Sequence, residues 1–401
     1  MSIVNTLVMK IYKFGYLIII FLFAVTLLNA QQTINGFVFD DVNHNGVKDK
    51  NEDGISGVTV SDQINVVVTN GDGSYNFPAA KGYGLLFIST PEGYKSPDVF
   101  WKIIDTTQKP VTINFPLTKT KPVNSFTFIH ASDTHISQAS IDRMKKLERI
   151  TDSVKPEMML ITGDLIKDAL RVPEATARGL YELFKGERNN IHTTTWLVPG
   201  NHEIFGIERH LSLVSPSNPF YGRKMYRYYF GPDYYSFNYG GVHFIALNSL
   251  DFEDLWYYGK IDSTQIEWLK RDVATVSSQM PIVTFQHVPF YSGGLSMENY
   301  EANGPARTVE LEQGVIQYRH VVSNTPNILA IMKNHNYPLA LAGHHHYQQK
   351  FSFAGLQTRF EQTAAVVGPG GDGNLELPSG IMVYTVKDGK IDEGKFVTLD
   401  R

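Results

Sequence analysis

The sequence of 401 residues contains no cysteine. This absence excludes a disulfide-stapled scaffold, thiolate zinc sites, iron–sulfur clusters and a cysteine nucleophile. The chain does contain 13 histidines, together with 40 aspartates and glutamates. A tight transition-metal site in this chain must therefore use histidine, aspartate, asparagine and glutamate side chains.

The chain also has little excess charge of either sign. Its 36 lysines and arginines against 40 acidic residues give a formal net charge of −4, so bulk nucleic-acid binding is not expected. Apolar residues make up 42% of the sequence, which is enough to build a core and excludes wholesale disorder. The length argues for more than one domain, because domains usually contain about 100–200 residues.

Residues 1–30 are predicted to be a secretory signal peptide. Lys10 and Lys13 precede an apolar run from Phe14 to Leu28, and Ala30 supplies a small residue at the expected cleavage site. The run is short for a spanning helix, which needs about 20 residues, and an uncleaved N-terminal anchor is the alternative. We therefore expect an exported protein, periplasmic or extracellular, with no membrane span after the signal is removed.

The residue pattern of residues 31–118 is typical of an all-β module. Short runs rich in Val, Ile, Phe and Thr alternate with Asn-Gly, Asp-Gly and Pro-Glu-Gly turns, a pattern that predicts a small β-sandwich. Residues 119–124 are polar and contain Pro122, which indicates a linker. The rest of the chain, residues 125–401, is predicted to be a second domain.

One loop of the module has the spacing D-x-N-x-N-G-x5-E of a calcium-binding loop. Oxygen ligands in such a loop surround a hard cation, and a glycine, here Gly46, makes the sharp turn. Strands rather than helices flank the loop, so it resembles the calcium loop of bacterial surface B-type β repeats more than an EF-hand. A polar loop held by its own hydrogen bonds is the alternative. The predicted ligands of a structural Ca²⁺ are Asp41, Asn43, Asn45, Asp49 and Glu52.

From Ser125 onward, apolar strands alternate with helical patterns, including a predicted helix over residues 172–185. Polar clusters follow apolar β runs at five places, and the carboxyl ends of strands are where sites assemble in α/β sheets. If the strands share one sheet or sandwich, the clusters converge on one cleft. These clusters are Asp133-Thr-His135, Gly163-Asp164, Gly200-Asn201-His202-Glu203, His287 and Gly343-His344-His345-His346.

Together and in this order, the clusters D-x-H, G-D, G-N-H-E, H and G-H-x-H resemble the signature of the calcineurin-like metallophosphoesterase superfamily. The resemblance covers roughly residues 126–399. The β module before it resembles the N-terminal domain of an exported bacterial subgroup. The resemblance implies an α/β fold, namely a four-layer α/β/β/α sandwich preceded by the small all-β sandwich. It also implies an enzyme that hydrolyses small phosphate esters with two divalent metal ions.

The resemblance assigns two sets of metal ligands that share a bridging carboxylate, Asp164. Two divalent metals about 3.5–4 Å apart neutralise a phosphate and lower the pKa of a bridging water. His202 would lie beside the metals, contact the scissile phosphate and protonate or stabilise the leaving oxygen. Such mixed ligands suit Mn, Fe, Zn or Co. The implied ligands are Asp133, His135, Asp164 and His346 for one metal, and Asp164, Asn201, His287 and His344 for the other.

Each of these residues has a purely structural alternative. Asp133 and Asp164 could cap the helices that follow them, and Asn201 could be a turn residue. The histidines of residues 344–346 could form a surface metal-scavenging triplet. On a strand-like segment His345 would point away from its neighbours, so it is not predicted to be a ligand.

Two segments are candidates for selecting the substrate, residues 204–233 and 291–318. In the first, Arg223, Lys224 and Arg227 could hold a further phosphate group, whereas packing in the core or an interface is the alternative for the tyrosines beside them.

The sequence therefore predicts a phosphoesterase that hydrolyses phosphomonoesters or phosphodiesters with a metal-bridging hydroxide. Purple acid phosphatases carry an iron-binding tyrosine three residues after the bridging aspartate; Lys167 stands there in this chain, which argues against an iron–tyrosinate site. The alternative function is a cell-surface binding protein that uses the β module, with a catalytically degenerate second domain. The complete ligand set argues against this alternative.

Overall fold

The computed structural model describes residues 33–77, 82–97, 99–105, 111–293, 308–372 and 375–400. The predicted signal peptide, residues 1–30, lies outside the described residues. In the part of the chain that the structure describes, no helix combines the length and the apolar character needed to cross a membrane.

The first region of the chain is all-β. Its strands are β1 (Ile34–Asp40), β2 (Thr59–Ser61), β3 (Val66–Val68), β4 (Ser74–Phe77), β5 (Leu85–Ser89), β6 (Tyr94–Lys95), β7 (Trp101–Ile103), β8 (Val111–Thr112) and β9 (Phe115–Lys119). One sheet has the order β4-β1-β9-β6, with β8 also paired to β1, and the other has the order β3-β2-β5-β7. Val38 and Phe77 from the first sheet share one core with Val60 and Leu86 from the second. The predicted small β-sandwich is confirmed.

The second region contains six α-helices among the described residues. They are α1 (Ile141–Val154), α2 (Glu174–Arg188), α3 (Arg209–Ser212), α4 (Lys224–Phe230), α5 (Ser263–Val273) and α6 (Thr325–Met332). Its first strands are β10 (Ser125–Ala131), β11 (Met158–Thr162), β12 (Thr194–Val198), β13 (Tyr235–Tyr239), β14 (Val242–Ala246), β15 (Leu250–Glu253), β16 (Trp256–Gly259) and β17 (Ile282–Phe285). The later strands are β18 (Thr308–Glu310), β19 (Ile316–Tyr318), β20 (Leu339–Ala342), β21 (Gln349–Ser352), β22 (Arg359–Gln362), β23 (Gly370–Asp372), β24 (Leu375–Leu377), β25 (Gly380–Lys387), β26 (Lys390–Ile391) and β27 (Lys395–Thr398).

Most of these strands form two six-stranded sheets. The first sheet has the order β12-β11-β10-β25-β26, with β27 paired to β25, and the second has the order β13-β14-β17-β20-β22-β21. The pairs β10–β11 and β11–β12 are parallel, as are β14–β17, β17–β20 and β20–β22. The remaining strand pairs β15–β16, β18–β19 and β23–β24 are small antiparallel ribbons.

The apolar run of β11 shows how the first sheet is buried on both faces. Successive side chains of a strand point to opposite faces. Met158 and Leu160 accordingly join the core between the two sheets, whereas Met159 and Ile161 join the core on the outer face. A strand covered on both faces favours apolar side chains at successive positions, and its sequence MMLIT is accordingly apolar up to its last residue.

Helices cover the outer faces of both sheets. Leu147 of α1 and Tyr181 of α2 pack in the outer core of the first sheet, and Trp268 of α5 and Ile328 of α6 pack in the core that includes the second sheet. Between the sheets the core is aromatic: Phe128 lies 5.8 Å from Phe244, centroid to centroid. The predicted α/β/β/α order of layers is confirmed.

The predicted helix over residues 172–185 begins and ends later, because α2 spans Glu174–Arg188. Its N-cap is Pro173, with extended backbone at ψ 156°. A proline ring disfavours helical geometry in the residue before it, so Val172 cannot belong to the helix.

The all-β region packs directly against the second region. The ring of Phe87 in β5 lies 6.4 Å from that of Trp268 in α5, and Phe100 lies 4.8 Å from Tyr235. The backbone N–H of Asn238 in β13 also donates to the carbonyl of Thr90. The two regions therefore share apolar contacts and backbone hydrogen bonds across their boundary.

A buried charge pair lies at this boundary. The Arg227 guanidinium donates to both oxygens of Asp233, at 2.8 and 2.9 Å, and packs on the ring of Tyr83. Gln63 from the all-β region donates to the same carboxylate at 3.0 Å. Burial would raise the pKa of Asp233, but the Arg227 guanidinium lowers it to about 2. Removal of the all-β region would leave this carboxylate with one donor fewer.

Candidate metal centre

Each predicted metal ligand follows a strand of the two sheets by a few residues. β10, β11 and β12 run parallel, as do β17 and β20, so the carboxyl ends of each group lie at one sheet edge. Asp133 and His135 follow β10, Asp164 follows β11, Asn201 follows β12, His287 follows β17, and His344 and His346 follow β20.

The first group of candidate ligands contains two carboxylates and two imidazoles. Donor atoms of Asp133, His135, Asp164 and His346 all lie within 4.8 Å of one another. His135 Nε2 lies 3.1 Å from His346 Nε2 and 3.5 Å from Asp164 Oδ2. His346 Nε2 lies 3.3 Å from Asp133 Oδ1. Four donor atoms therefore surround one point.

The second group shares Asp164 with the first. Donor atoms of Asp164, His287 and His344 lie within 4.8 Å of one another. His287 Nε2 lies 3.2 Å from Asp164 Oδ2, 3.1 Å from Asn201 Oδ1 and 3.0 Å from His344 Nδ1. The structure thus brings all seven predicted ligands together, with Asp164 Oδ2 facing both groups.

The donor set fits two cations. Asp133 Oδ1 is fully buried, and no described residue donates a well-formed hydrogen bond to it. A buried carboxylate oxygen without a donor is costly unless a cation satisfies it. The neighbouring ring nitrogens face the same point, and every donor is nitrogen or oxygen, as Mn, Fe, Zn and Co accept.

The electrostatics keep the shared carboxylate charged. Burial raises the pKa of a carboxyl group, but the imidazoles of His287 and His202 hold the pKa of Asp164 well below its usual range. Burial likewise lowers the pKa of a histidine, but the Asp164 carboxylate raises that of His287 to about 9. Asp164 is therefore available as an anionic ligand across the neutral pH range.

A backbone contact orients the ring of His287. Its Nδ1 lies 2.7 Å from the carbonyl oxygen of Thr162, so Nδ1 carries the proton and donates it. In the neutral form, which a metal ligand must adopt, the lone pair is then on Nε2, the atom that faces Asp164 and Asn201. Fixing the tautomer of a ligand through its other nitrogen is the usual function of such contacts in metal sites.

Five of the seven candidate ligands have left-handed backbone conformations. Their φ angles are 54° for Asp133, 38° for His135, 49° for Asp164, 76° for His344 and 62° for His346. Such conformations cost about 1–3 kcal/mol each in residues other than glycine and cluster at functional sites. They turn the chain sharply at the strand ends, which brings side chains from several strands to one place.

Glycine next to these turns allows the close approach. A Cβ atom on Gly200 would lie 2.1 Å from Asp164 Oδ1, and real Cβ contacts are never that short. The G-N-H-E cluster therefore begins with glycine because the Asp164 carboxylate occupies the space of a side chain.

His202, the predicted catalytic residue, lies beside the two groups without joining either. Its backbone N–H donates to Asp164 Oδ1 at 2.9 Å. Its Nδ1 lies 2.5 Å from the carbonyl oxygen of Lys167, and its Nε2 lies 3.9 Å from Asp164 Oδ2. The imidazole side chain is 23% exposed, so part of the ring is accessible to a molecule that enters the cleft.

His320 is a residue that the sequence did not single out for this site. Its Nδ1 lies 2.7 Å from His344 Nε2, and the two rings stack at 5.0 Å with an interplanar angle of 22°. His344 Nδ1 faces the second group, so its Nε2–H donates to His320. The two histidines are 24 residues apart with no motif between them, and only the folded contact reveals the pair.

Two neighbours of the ligands also have structural partners. His345 Nε2 lies 3.0 Å from the carbonyl oxygen of His320, so it lies outside both ligand groups as predicted. The reason differs from the predicted strand alternation, because β20 ends at Ala342. Glu203 is buried and accepts hydrogen bonds from the backbone N–H groups of Gly200 and Ile166, and burial raises its pKa to about 8.

The basic residues of segment 204–233 are mostly engaged elsewhere. Arg223 pairs with Asp251 and Asp262, and Arg227 pairs with Asp233. These ion pairs, rather than a phosphate, occupy the two arginines. Packing in the core, the alternative predicted for the tyrosines, describes Tyr226 and Tyr229, whereas Tyr228 is exposed. Residues 294–307 of the other candidate segment lie outside the described residues.

The predicted calcium loop forms a hydrogen-bonded turn. Asp41 accepts from the backbone N–H groups of Asn45 and Gly46, and Glu52 accepts from those of Val42 and Asp49. The side-chain amides of Asn43 and Asn45 donate to Asp49 at 2.7 and 2.9 Å. Binding of Ca²⁺ by this loop stays a prediction, which calorimetric titration of the whole chain with Ca²⁺ can test.

Two family models match the sequence. One, described as "Calcineurin-like phosphoesterase", matches residues 126–348, and the other, described as "N terminal of Calcineurin-like phosphoesterase", matches residues 42–120. Together they cover the seven candidate ligands and most of the all-β region.

Among curated proteins, purple acid phosphatase 13 of Arabidopsis thaliana is 32% identical over 128 residues, which cover 31% of this chain and 22% of that protein. Serine-aspartate repeat-containing protein D of Staphylococcus aureus (strain Newman) is 38% identical over 71 residues, which cover 16% of this chain and 5% of that protein. The chain thus spans less than a quarter of either relative. Among solved structures, a dimetal phosphatase from Danio rerio is 12% identical and aligns with 68% of this chain and 98% of its own, at a TM-score of 0.44.

We predict that His320→Ala weakens metal binding by the group that contains His344. The change removes the acceptor of the His344 Nε2–H group, so the ring of His344 is free to rotate. Loss of such a contact typically lowers metal affinity by about 10–100-fold. Calorimetric titration of metal-stripped protein with Mn²⁺ measures this directly. His192→Ala, a change at an exposed histidine, is the matched control. Two full-affinity equivalents in His320→Ala would contradict the prediction.

Proposed function

The chain belongs to the calcineurin-like phosphoesterase family and is a metal-dependent phosphoesterase, and from that premise we propose that it is an exported enzyme that hydrolyses small phosphate monoesters or diesters at the site around Asp164. One observation carries the assignment of the site: Asp164 Oδ2 is 3.5 Å from His135 Nε2 and 3.2 Å from His287 Nε2. A single carboxylate oxygen that faces two sets of ligands is suited to two cations at short separation.

The seven candidate ligands would be divided between two cations. Asp133, His135 and His346 would hold one cation with Asp164, and Asn201, His287 and His344 would hold the other. When bound, two divalent cations neutralise the charge of the phosphate and activate a water for attack. The Thr162 carbonyl keeps the Nε2 lone pair of His287 directed at its cation, as the 2.7 Å contact to Nδ1 supports.

His202 supplies proton chemistry at the edge of the site. Its Nδ1–H donates to the Lys167 carbonyl, and Nε2 lies 3.9 Å from Asp164 Oδ2, beside the two ligand groups. A protonated Nε2 donates a hydrogen bond to a phosphate oxygen and then passes its proton to the departing alcohol oxygen. The partial exposure of the ring supports contact with substrate.

Mn, Fe, Zn and Co are the candidate metals, since histidine, carboxylate and amide ligands suit all four. Lys167 occupies the position at which purple acid phosphatases have an iron-binding tyrosine, so we propose a centre without tyrosinate ligation. The alternative function, a surface-binding protein with a degenerate second domain, predicts no turnover with any of these metals.

We predict that Asp164→Asn and His287→Ala each abolish turnover. Asp164→Asn removes the charge of the shared carboxylate and His287→Ala removes a nitrogen ligand of the second group, and we expect rates below about one-thousandth of the parent rate. The assay uses p-nitrophenyl phosphate and bis-p-nitrophenyl phosphate with Mn²⁺, Fe²⁺, Zn²⁺ or Co²⁺ added to metal-stripped protein. The ratio of the two rates also gives the preference for monoester or diester.

His192→Ala is the control for this experiment, because His192 is exposed and belongs to neither ligand group. Asparagine preserves the shape of Asp164 and tolerates its positive φ, so a loss of activity reports the missing charge. Near-parental rates in both Asp164→Asn and His287→Ala would refute the dinuclear site.

For His202→Ala we predict a normal metal content and a fall in kcat of about 10²–10⁴-fold, the usual contribution of a general acid. The KM should change little, because the cations would hold the phosphate. Metal analysis of the purified variant separates this outcome from a loss of metal. An unchanged kcat would remove the proposed role of His202.

Export is the remaining part of the proposal, and the apolar run between Lys13 and Ala30 supports it. We predict that protein recovered from outside the cytoplasm of a bacterial host begins at Gln31. Intact mass measures this, and Ile19→Lys, which interrupts the apolar run, should keep the chain inside with Met1 retained. Membrane-bound protein that still carries residues 1–30 would instead support an uncleaved anchor.

A further inference from the structure

A cavity lies on the boundary between the all-β region and the second region, away from the candidate metal centre. Its volume is about 580 Å³, within the range of pockets that hold small organic ligands, which often lie at domain interfaces. It is lined at the beginning of β11 and β12, including Met158 and Thr194. The lining continues along β12 to Leu197, and Asn201 follows the other end of this strand by three residues, which places Asn201 roughly 13 Å beyond the cavity wall.

Aromatic rings from both regions form the wall of this cavity. Phe100 of the all-β region lies 5.1 Å from the ring of Trp196 and 4.8 Å from that of Tyr235. Trp196 stacks on Phe237 at 3.7 Å, with an interplanar angle of 9°. Phe100 and Trp196 are only half-buried, so they keep ring surface for an additional flat apolar group.

One basic side chain in the wall has no counter-charge. Arg188, at the end of α2, is half-buried and lines the cavity. It makes no ion pair or side-chain hydrogen bond with any residue that the structure describes. Because the side chain is half-buried, the guanidinium has lost part of its hydration, and this burial lowers its pKa. Withdrawing a charge from water without a partner is unfavourable.

The acidic residue of the wall does not compensate for Arg188. Glu157 accepts the backbone N–H of Thr127 at 2.8 Å, and it is the only acidic residue among the described lining residues. Lys95, which is exposed, adds a second positive charge at the rim. Aromatic faces, a guanidinium and a lysine together favour a ligand with a flat apolar body and one carboxylate, which guanidinium binds in bidentate fashion.

We propose that this cavity, named here the boundary cavity, is a second ligand site that binds a small aromatic carboxylate, with its ring against Phe100 and Trp196 and its carboxylate on Arg188. The site is separate from the proposed phosphoesterase function and uses none of its residues. Because the ligand contacts both regions, its binding also stabilises their association.

Calorimetric titration of the whole mature chain with naphthylacetate tests the proposal. We expect saturable binding with a Kd below about 1 mM and binding at least about 10-fold weaker for naphthylacetamide, which has the same rings but no charge. Arg188→Gln should lose affinity for the acid by a similar factor. Lys185→Gln, which removes an exposed positive charge from the same helix outside the cavity, should bind like the parent.

Equal affinity for the acid and the amide, or parental affinity in Arg188→Gln, would overturn the proposal. If Arg188→Gln does not fold, the affinities for the acid and the amide are compared between the parent chain and Lys95→Gln. We expect Lys95→Gln to bind the acid more weakly than the parent does, by less than the loss expected for Arg188→Gln, and to bind the amide as the parent does. Absence of saturable binding of the acid would likewise overturn the proposal.

Discussion

The carboxylate of Asp164 is the constraint on which the candidate metal centre depends. Its Oδ2 faces His135, which follows a strand of the first sheet, and His287, which follows a strand of the second. The separation of the two ligand groups is therefore set by the packing of one sheet on the other. That packing is made by rings such as Phe128 and Phe244 between the sheets, and interiors of this density deform little. The apolar core thus fixes the distance at which two cations would lie, although no core residue touches them.

Local turns at the strand ends complete this arrangement. Left-handed backbone at Asp133, Asp164 and His344 turns each chain segment back over the sheet edge, and Gly200 leaves the space that Asp164 fills. These conformations are unfavourable in isolation. They persist because hydrogen bonds such as that from the His202 N–H to Asp164 are satisfied only in this geometry.

The all-β region, the alternation of strands and helices, and the meeting of the seven candidate ligands at one place could be predicted because their signals are local. The four-layer order was implied by the resemblance to the metallophosphoesterases. An apolar run followed within a few residues by Asp, Asn or His marks a strand end, and such ends converge where the strands share one sheet or sandwich. The partners of Arg223 and Arg227 could not be predicted in this way. In sequence these arginines look like phosphate ligands, yet Asp251, Asp262 and Asp233 neutralise them in the folded chain. The contact of His320 with His344 and that of Gln63 with Asp233, 170 residues apart, likewise depend on long-range packing. No sequence motif predicts either contact.

The contact between the two regions also affects how separate copies of the chain can associate. β12 and β13 are the outermost strands of their sheets on the same side of the sandwich. An open strand edge is a template on which another chain can add a strand. The all-β region lies against this side, with Phe100 on Trp196 and the Thr90 carbonyl on the N–H of Asn238. It therefore covers part of these two edges and leaves less open strand on which a neighbouring copy could pair.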